Sequence, residues 1–179
     1  MEPAYQPEQW HDLFEMIGAS AGALVGLLFI VITLHFNKIA DRADDNMRIT
    51  MQGARYNMFH LLTVLVESAI ILAPQPLAFA GAELIAVNMF GLRLPIIIIH
   101  RYFNKNITIG NNGGFPTLLL ATIILAYLLG AAGGAMMFHY SGWAIYMVAV
   151  SCLIKLVRSV LTAWMLMFGV TQARMEQQA

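Results

Sequence analysis

Charge is what this chain has least of. Only 11% of its 179 residues are Asp, Glu, Lys or Arg, against 59% hydrophobic; a soluble domain carries about a quarter charged and about half apolar residues. The charges cancel to a formal net charge of zero, so no basic footprint for nucleic acid is present. Cysteine is nearly absent as well. Cys152 stands alone in an apolar run, which excludes an internal disulfide, a CxxC redox motif and a cysteine zinc cluster. The first dozen residues, MEPAYQPEQWHD, hold no Lys or Arg. They lack the basic n-region of a cleavable signal peptide, and the first apolar segment is expected to stay in the chain.

What the chain has is long apolar runs, each near the roughly 20 residues that a bilayer core requires. Five spans are expected, at about 13–36, 56–73, 76–100, 116–138 and 143–169. PQP at 74–76 ends the second, and Pro76 is suited to open the third, because a first helical position needs no N–H. Pro95 lies inside the third span and predicts a kink. The polar content of the second and third spans leaves a re-entrant hairpin as the alternative to two full crossings.

Loop charge orients the bundle. With the N-terminus outside, the inner loops hold Lys38, Arg42, Arg48, Arg55, Arg101, Lys105 and Arg174, and the outer segments hold no Lys or Arg. That seven-to-zero bias predicts an N-terminus outside and a cytoplasmic C-terminus. The sequon at Asn106 then faces the cytoplasm and is no glycosylation site. The expected fold is an all-α integral membrane bundle of about five transmembrane helices, one membrane domain without soluble mass.

GASAG at 18–22 matches the G-x-S-x-G of a nucleophile elbow, with His60 as the candidate partner of Ser20. An elbow needs a strand before the serine and a sharp turn at it, whereas the flanks LFEMI and ALVGLLFIVITL read as continuous helix. The same residues place Gly18, Gly22 and Gly26 four apart, a small-residue ridge that lets helix backbones approach in lipid. A second small patch, GAAGGA, occupies 130–135. One patch is expected to close the bundle and the other to join subunits; the motif does not say which. WHDLFEMIGASAGALVGLLFIVITL at 10–34 also resembles the opening of a group of small, uncharacterised bacterial membrane proteins that begin Trp-His-Asp-x-Phe and continue into a small-residue span. The match is clear over about residues 10–36 and implies a bacterial inner membrane without implying a site.

Ionisable residues at membrane depth are costly and face protein or water. In the second span Tyr56, His60, Thr63 and Glu67 recur at steps of four, three and four, on one helix face with Ser68 beside them. In the fifth, Ser151, Lys155, Arg158, Ser159 and Thr162 do the same. In the third, Glu83, Asn88 and Arg93 are five apart and spread around the helix. At 1.5 Å per residue, Glu67 and Glu83 each lie about 10 Å from the outer ends of their helices, and Lys155 lies about 18 Å down with a stem able to reach them. The candidate polar pathway is therefore His60, Thr63, Glu67, Glu83, Arg93, Lys155 and Arg158. Structural salt bridges are the competing reading of the same charges. The three bases favour anions, the two acids cations or protons, and the sequence does not decide between them.

His35, His60 and His100 approach the inner side and raise haem ligation, but they share no motif and suit interfacial roles better. The Met-rich stretches GGAMMF and WMLMFGV read as packing, and Trp10, Tyr140, Trp143 and Trp164 suit an aromatic belt. No catalytic residue, metal or cofactor is expected. The expectation is a homo-oligomeric channel or transporter in the lipid bilayer, the alternative a non-catalytic subunit of a larger membrane complex.

Overall fold

A computed structural model describes residues 7–40, 45–105, 114–139 and 142–176, with side chains described over 9–33, 53–97, 120–139 and 142–164. A short 3-10 turn at Pro7–Trp10 leads into α1 (His11–Ala40), followed by α2 (Asp45–Leu72), α3 (Leu77–Lys105), α4 (Gly114–Met137) and α5 (Trp143–Glu176). The described residues include no strand. Each helix contains a stretch long and apolar enough to cross a membrane: His11–Thr33, Gly53–Leu72, Leu77–Ile97, Leu120–Met137 and Trp143–Trp164. Both α2 and α3 are continuous helices, without the short broken segments of a re-entrant hairpin.

The first helix starts at one end of the bundle and the last finishes at the other, the N-side and the C-side. The turn at the N-side between α2 and α3 shows how the prolines act. The Ala73 amide donates to the Ala69 carbonyl at 2.9 Å and ends α2; the Pro76 carbonyl then accepts the first amides of α3, from Phe79 at 2.9 Å and Ala80 at 3.2 Å. Pro76 is therefore the cap of α3, one position before its first turn. Gln75 straps the turn, its Nε2 donating to the Ile70 carbonyl at 3.2 Å and to Glu83 Oε2 at 2.9 Å. One orphan carbonyl of α2 is satisfied in this way.

Helices α2 and α5 form the centre, with α1 packed on one side and the α3–α4 pair on the other. The core changes character along its length. Towards the N-side it is mainly apolar, built around Phe14, Ile17, Leu84, Ile145 and Val148, and Glu67 of α2 is buried at its inner edge. Towards the middle and the C-side it contains Asn57, His60, Thr63, Lys155 and Ser159, all buried. At the N-side rim Trp10 meets Tyr146 edge-on at 4.4 Å, and Trp143 lies 5.7 Å from the same ring.

The small-residue patches divide the packing unequally. Along α1, a Cβ added at Gly18 would lie 3.1 Å from Ser68 Cβ, and one at Gly22 would lie 3.3 Å from the flexible end of Leu65; at Gly26 nothing lies within 4 Å. The first two glycines pack on α2 inside the chain and the third is open. Just beyond it, Leu27, Phe29 and Ile30 are exposed, the first two about 60% (59% and 61%). The 130–135 patch is enclosed on two sides. A Cβ at Gly134 would lie 2.8 Å from the Gly81 carbonyl oxygen, and one at Gly81 would lie 2.6 Å from the Gly134 carbonyl oxygen. This reciprocal approach brings the backbones of α3 and α4 together. On the other side, a Cβ at Gly133 would lie 2.9 Å from the Ala144 carbonyl oxygen of α5. The α4 patch closes the bundle.

Candidate functional site: a buried ion pair above a polar cleft

Lys155 and Glu67, which the sequence places at different depths but within reach of the lysine stem, meet with both side chains fully buried. Lys155 Nζ donates to Glu67 Oε1 at 2.5 Å and to Asn88 Oδ1 at 2.8 Å, and stands 4.4 Å from the centre of the Tyr127 ring. An ammonium has three donors; here they meet a carboxylate, an amide oxygen and an aromatic face. The second carboxylate oxygen, Glu67 Oε2, accepts from the Cys152 thiol at 3.1 Å. Asn88 is held in turn: its Nδ2 donates to the Leu84 carbonyl at 2.9 Å, and its side chain fills the space that Gly130 leaves. An isolated charge at this depth is costly, and four helices cooperate to avoid it.

Tyr127 links this pair to the C-side. Its hydroxyl lies 2.7 Å from His60 Nδ1 and 3.3 Å from Thr63 Oγ1, while Thr63 Oγ1 donates to the His60 carbonyl at 2.7 Å. Its ring lies against Gly91, where a Cβ would collide with it. Asn57 Nδ2 donates to the Ser159 carbonyl at 2.9 Å and ties α2 to α5. Below His60 opens a cleft of about 160 Å³ lined by Tyr56, Asn57, His60, Pro95, Arg158 and Thr162, among others. Arg158 is half-buried, and its Nε is enclosed without a hydrogen-bond partner. Thr162 Oγ1 donates to the Arg158 carbonyl at 2.9 Å.

Of the seven candidate pathway residues, the structure therefore brings together five: His60, Thr63, Glu67, Lys155 and Arg158. Glu83 is apart from them. The expectation that it neighbours Glu67 at similar depth, within reach of Lys155, is corrected: Glu83 is exposed near the N-side and accepts from Gln75. Spacing of five residues turns it nearly a right angle and a half away from Asn88, which faces the pair. Arg93 is likewise exposed, its guanidinium 5.7 Å from the Phe90 ring centre on its own helix. The polar stripes of α2 and α5 face each other within one chain, rather than jointly facing outwards.

Sequence reasoning missed Tyr127, a lone aromatic in an apolar run with no periodic signal. It gave no role to Cys152, and Asn88 it placed on α3 without a partner. Ser20 is exposed on a continuous helix, and His60 is buried against Tyr127; the strand and turn of a nucleophile elbow are absent. The side chains of His35, His100 and Tyr140, the sequon at Asn106 and most of WMLMFGV lie outside the described residues. His11, Asp12 and Glu15 form an exposed cluster at the start of α1, His11 Nδ1 lying 3.6 Å and 3.9 Å from the two carboxylates. No known protein family, curated protein or solved structure matches this chain.

Proposed function

We propose that this chain is a small multi-pass transport protein, in which each copy has its own route between α2 and α5. The observation that supports this reading is the asymmetry of the surroundings of the occluded Glu67–Lys155 pair. On the C-side, Tyr127 and His60 connect it to a polar cleft; on the N-side, the Phe14–Ile17–Leu84–Ile145 core blocks it. A buried charge pair with a cleft leading towards it on one side and an apolar seal on the other is the occluded centre that an alternating-access carrier requires, and a permanently open channel would lack the apolar plug. The loop-charge bias supports an N-terminus outside and a cytoplasmic C-terminus in a bacterial inner membrane, so the cleft faces inward. No enzymatic activity is part of the reading.

The test is flux in proteoliposomes, with proton movement and small-anion movement measured separately. Glu67→Gln combined with Lys155→Met removes both charges together and keeps the fold; flux then falls to the protein-free background. A folded double variant with unaltered flux refutes the reading.

One observation favours a second reading, a non-catalytic subunit or regulator of a larger membrane complex. The second half of α1 carries exposed apolar residues with the small, open Ala23 and Gly26 beside them, a surface suited to another membrane helix. In a homo-oligomer that helix belongs to a second copy. Disulfide crosslinking of Ala23→Cys between copies supports the homo-oligomer; capture of a different membrane protein supports the subunit.

A further inference from the structure

The charge balance within the bundle is uneven at one point. Glu67 is matched by Lys155, but Arg158 has no carboxylate partner among the described residues, and its Nε is enclosed without a hydrogen bond. It lines the C-side cleft together with Tyr56, Asn57, His60 and Thr162. Tyr56, Asn57 and His60 share one face of α2, and Arg158 and Thr162 one face of α5, so both helices turn polar groups to the same space. The Thr162 proton and one Asn57 amide N–H are already directed at backbone carbonyls. Remaining for an occupant are the Arg158 guanidinium, the Tyr56 hydroxyl and the outer edge of the His60 ring, whose Nδ1 is taken by Tyr127. This set has more donors than acceptors and carries positive charge.

We propose that the cleft binds a small oxyanion, with Arg158 as its principal ligand and Tyr56 and His60 as neighbouring donors. A guanidinium offers two parallel N–H groups that match phosphate or carboxylate oxygens. At about 160 Å³ the cleft is smaller than the roughly 300–1,000 Å³ of sites for drug-sized ligands, which selects an inorganic ion or a headgroup phosphate. Pro95 lines the space opposite and contributes no N–H. The proposal deepens the transport reading and rests on it for the fate of the ion, whereas binding is measured without flux and is separable from it.

The experiment uses the full chain in nanodiscs of phosphatidylcholine, titrated with inorganic phosphate at constant ionic strength against chloride. Phosphate near one hundred times Kd raises the unfolding midpoint by about 5–10 °C, and chloride leaves it unchanged. Arg158→Gln abolishes the shift and Arg158→Lys keeps part of it. A second arm counts phosphatidic acid molecules retained in native mass spectrometry. Retention lost in Arg158→Gln, without a phosphate shift in the wild type, assigns the site to the lipid headgroup; a phosphate shift with unchanged retention assigns it to the free ion. A wild-type chain that responds to neither probe overturns the proposal regardless of how the variants fold. So does an Arg158→Gln chain that responds to both as the wild type does.

Discussion

Separating Glu67 from Lys155 is expected to cost more from one side than from the other. Removing one partner of a buried ion pair costs about 3–5 kcal/mol, because the survivor is left charged and uncompensated. The surroundings decide where in that range each variant falls. In Glu67→Gln the ammonium keeps Asn88 Oδ1 and the Tyr127 ring, a desolvated cation–π contact contributes up to about 2 kcal/mol, and the new amide oxygen still accepts. A loss of about 3 kcal/mol is expected. In Lys155→Met the carboxylate keeps only the Cys152 thiol, a weak donor, and the loss approaches about 5 kcal/mol. In the double variant, methionine fills the lysine volume and the amide introduced by Glu67→Gln can donate to Asn88, so the net cost falls to about 1 kcal/mol or below. Equilibrium unfolding of all four chains in one lipid mixture gives the cycle. Single losses below about 1 kcal/mol that simply add would show that the pair is not buried as described, and the account of the bundle centre would fail with it.

Gly134→Leu should destabilise the chain by about 1–3 kcal/mol through overpacking against Gly81, while Gly26→Leu should leave the isolated chain's midpoint unchanged; equal effects in a thermal unfolding assay would contradict the packing. If Gly26→Leu dissociates an oligomer on size exclusion without changing that midpoint, the open half of α1 is an interface between copies. Tyr127→Phe removes the hydroxyl shared by His60 and Thr63 and should cost about 1–3 kcal/mol by leaving buried polar groups unmatched, which chemical denaturation in mixed micelles would read. A cysteine introduced at Gln6 should react with an impermeant thiol reagent on intact cells and one introduced at Asn46 should not; the reverse pattern overturns the orientation.

The helices were legible because apolar run length is a one-dimensional property. So was the approach of Lys155 to Glu67, because spacing fixes the face and the long lysine stem covers the difference in depth. Glu83 shows the limit of that arithmetic. Depth placed it near Glu67, but nothing in a five-residue spacing says which of Glu83, Asn88 and Arg93 turns inward. The answer depends on how α3 is rotated, and that is set by Gly81 against Gly134 and by Gly91 against Tyr127. A single glycine on one helix is invisible as a contact until its counterpart at the same depth is known. The α1 ridge attracted attention for the opposite reason: its four-residue period is local and easily seen, yet only two of its glycines meet another helix.

The Cys152 thiol has a use of its own. It is the only sulfhydryl in the chain, and it lies on the carboxylate of Glu67 where the apolar half of the core gives way to the polar half. A small alkylating reagent can modify it only when water reaches that boundary, so its reaction rate reads out opening of the bundle without an introduced label. Reagents confined to one face of a vesicle would further tell from which side the opening comes. The same concealment leaves the wild-type background silent to bulky impermeant probes, so surface cysteines can be added and mapped while the native one stays in place.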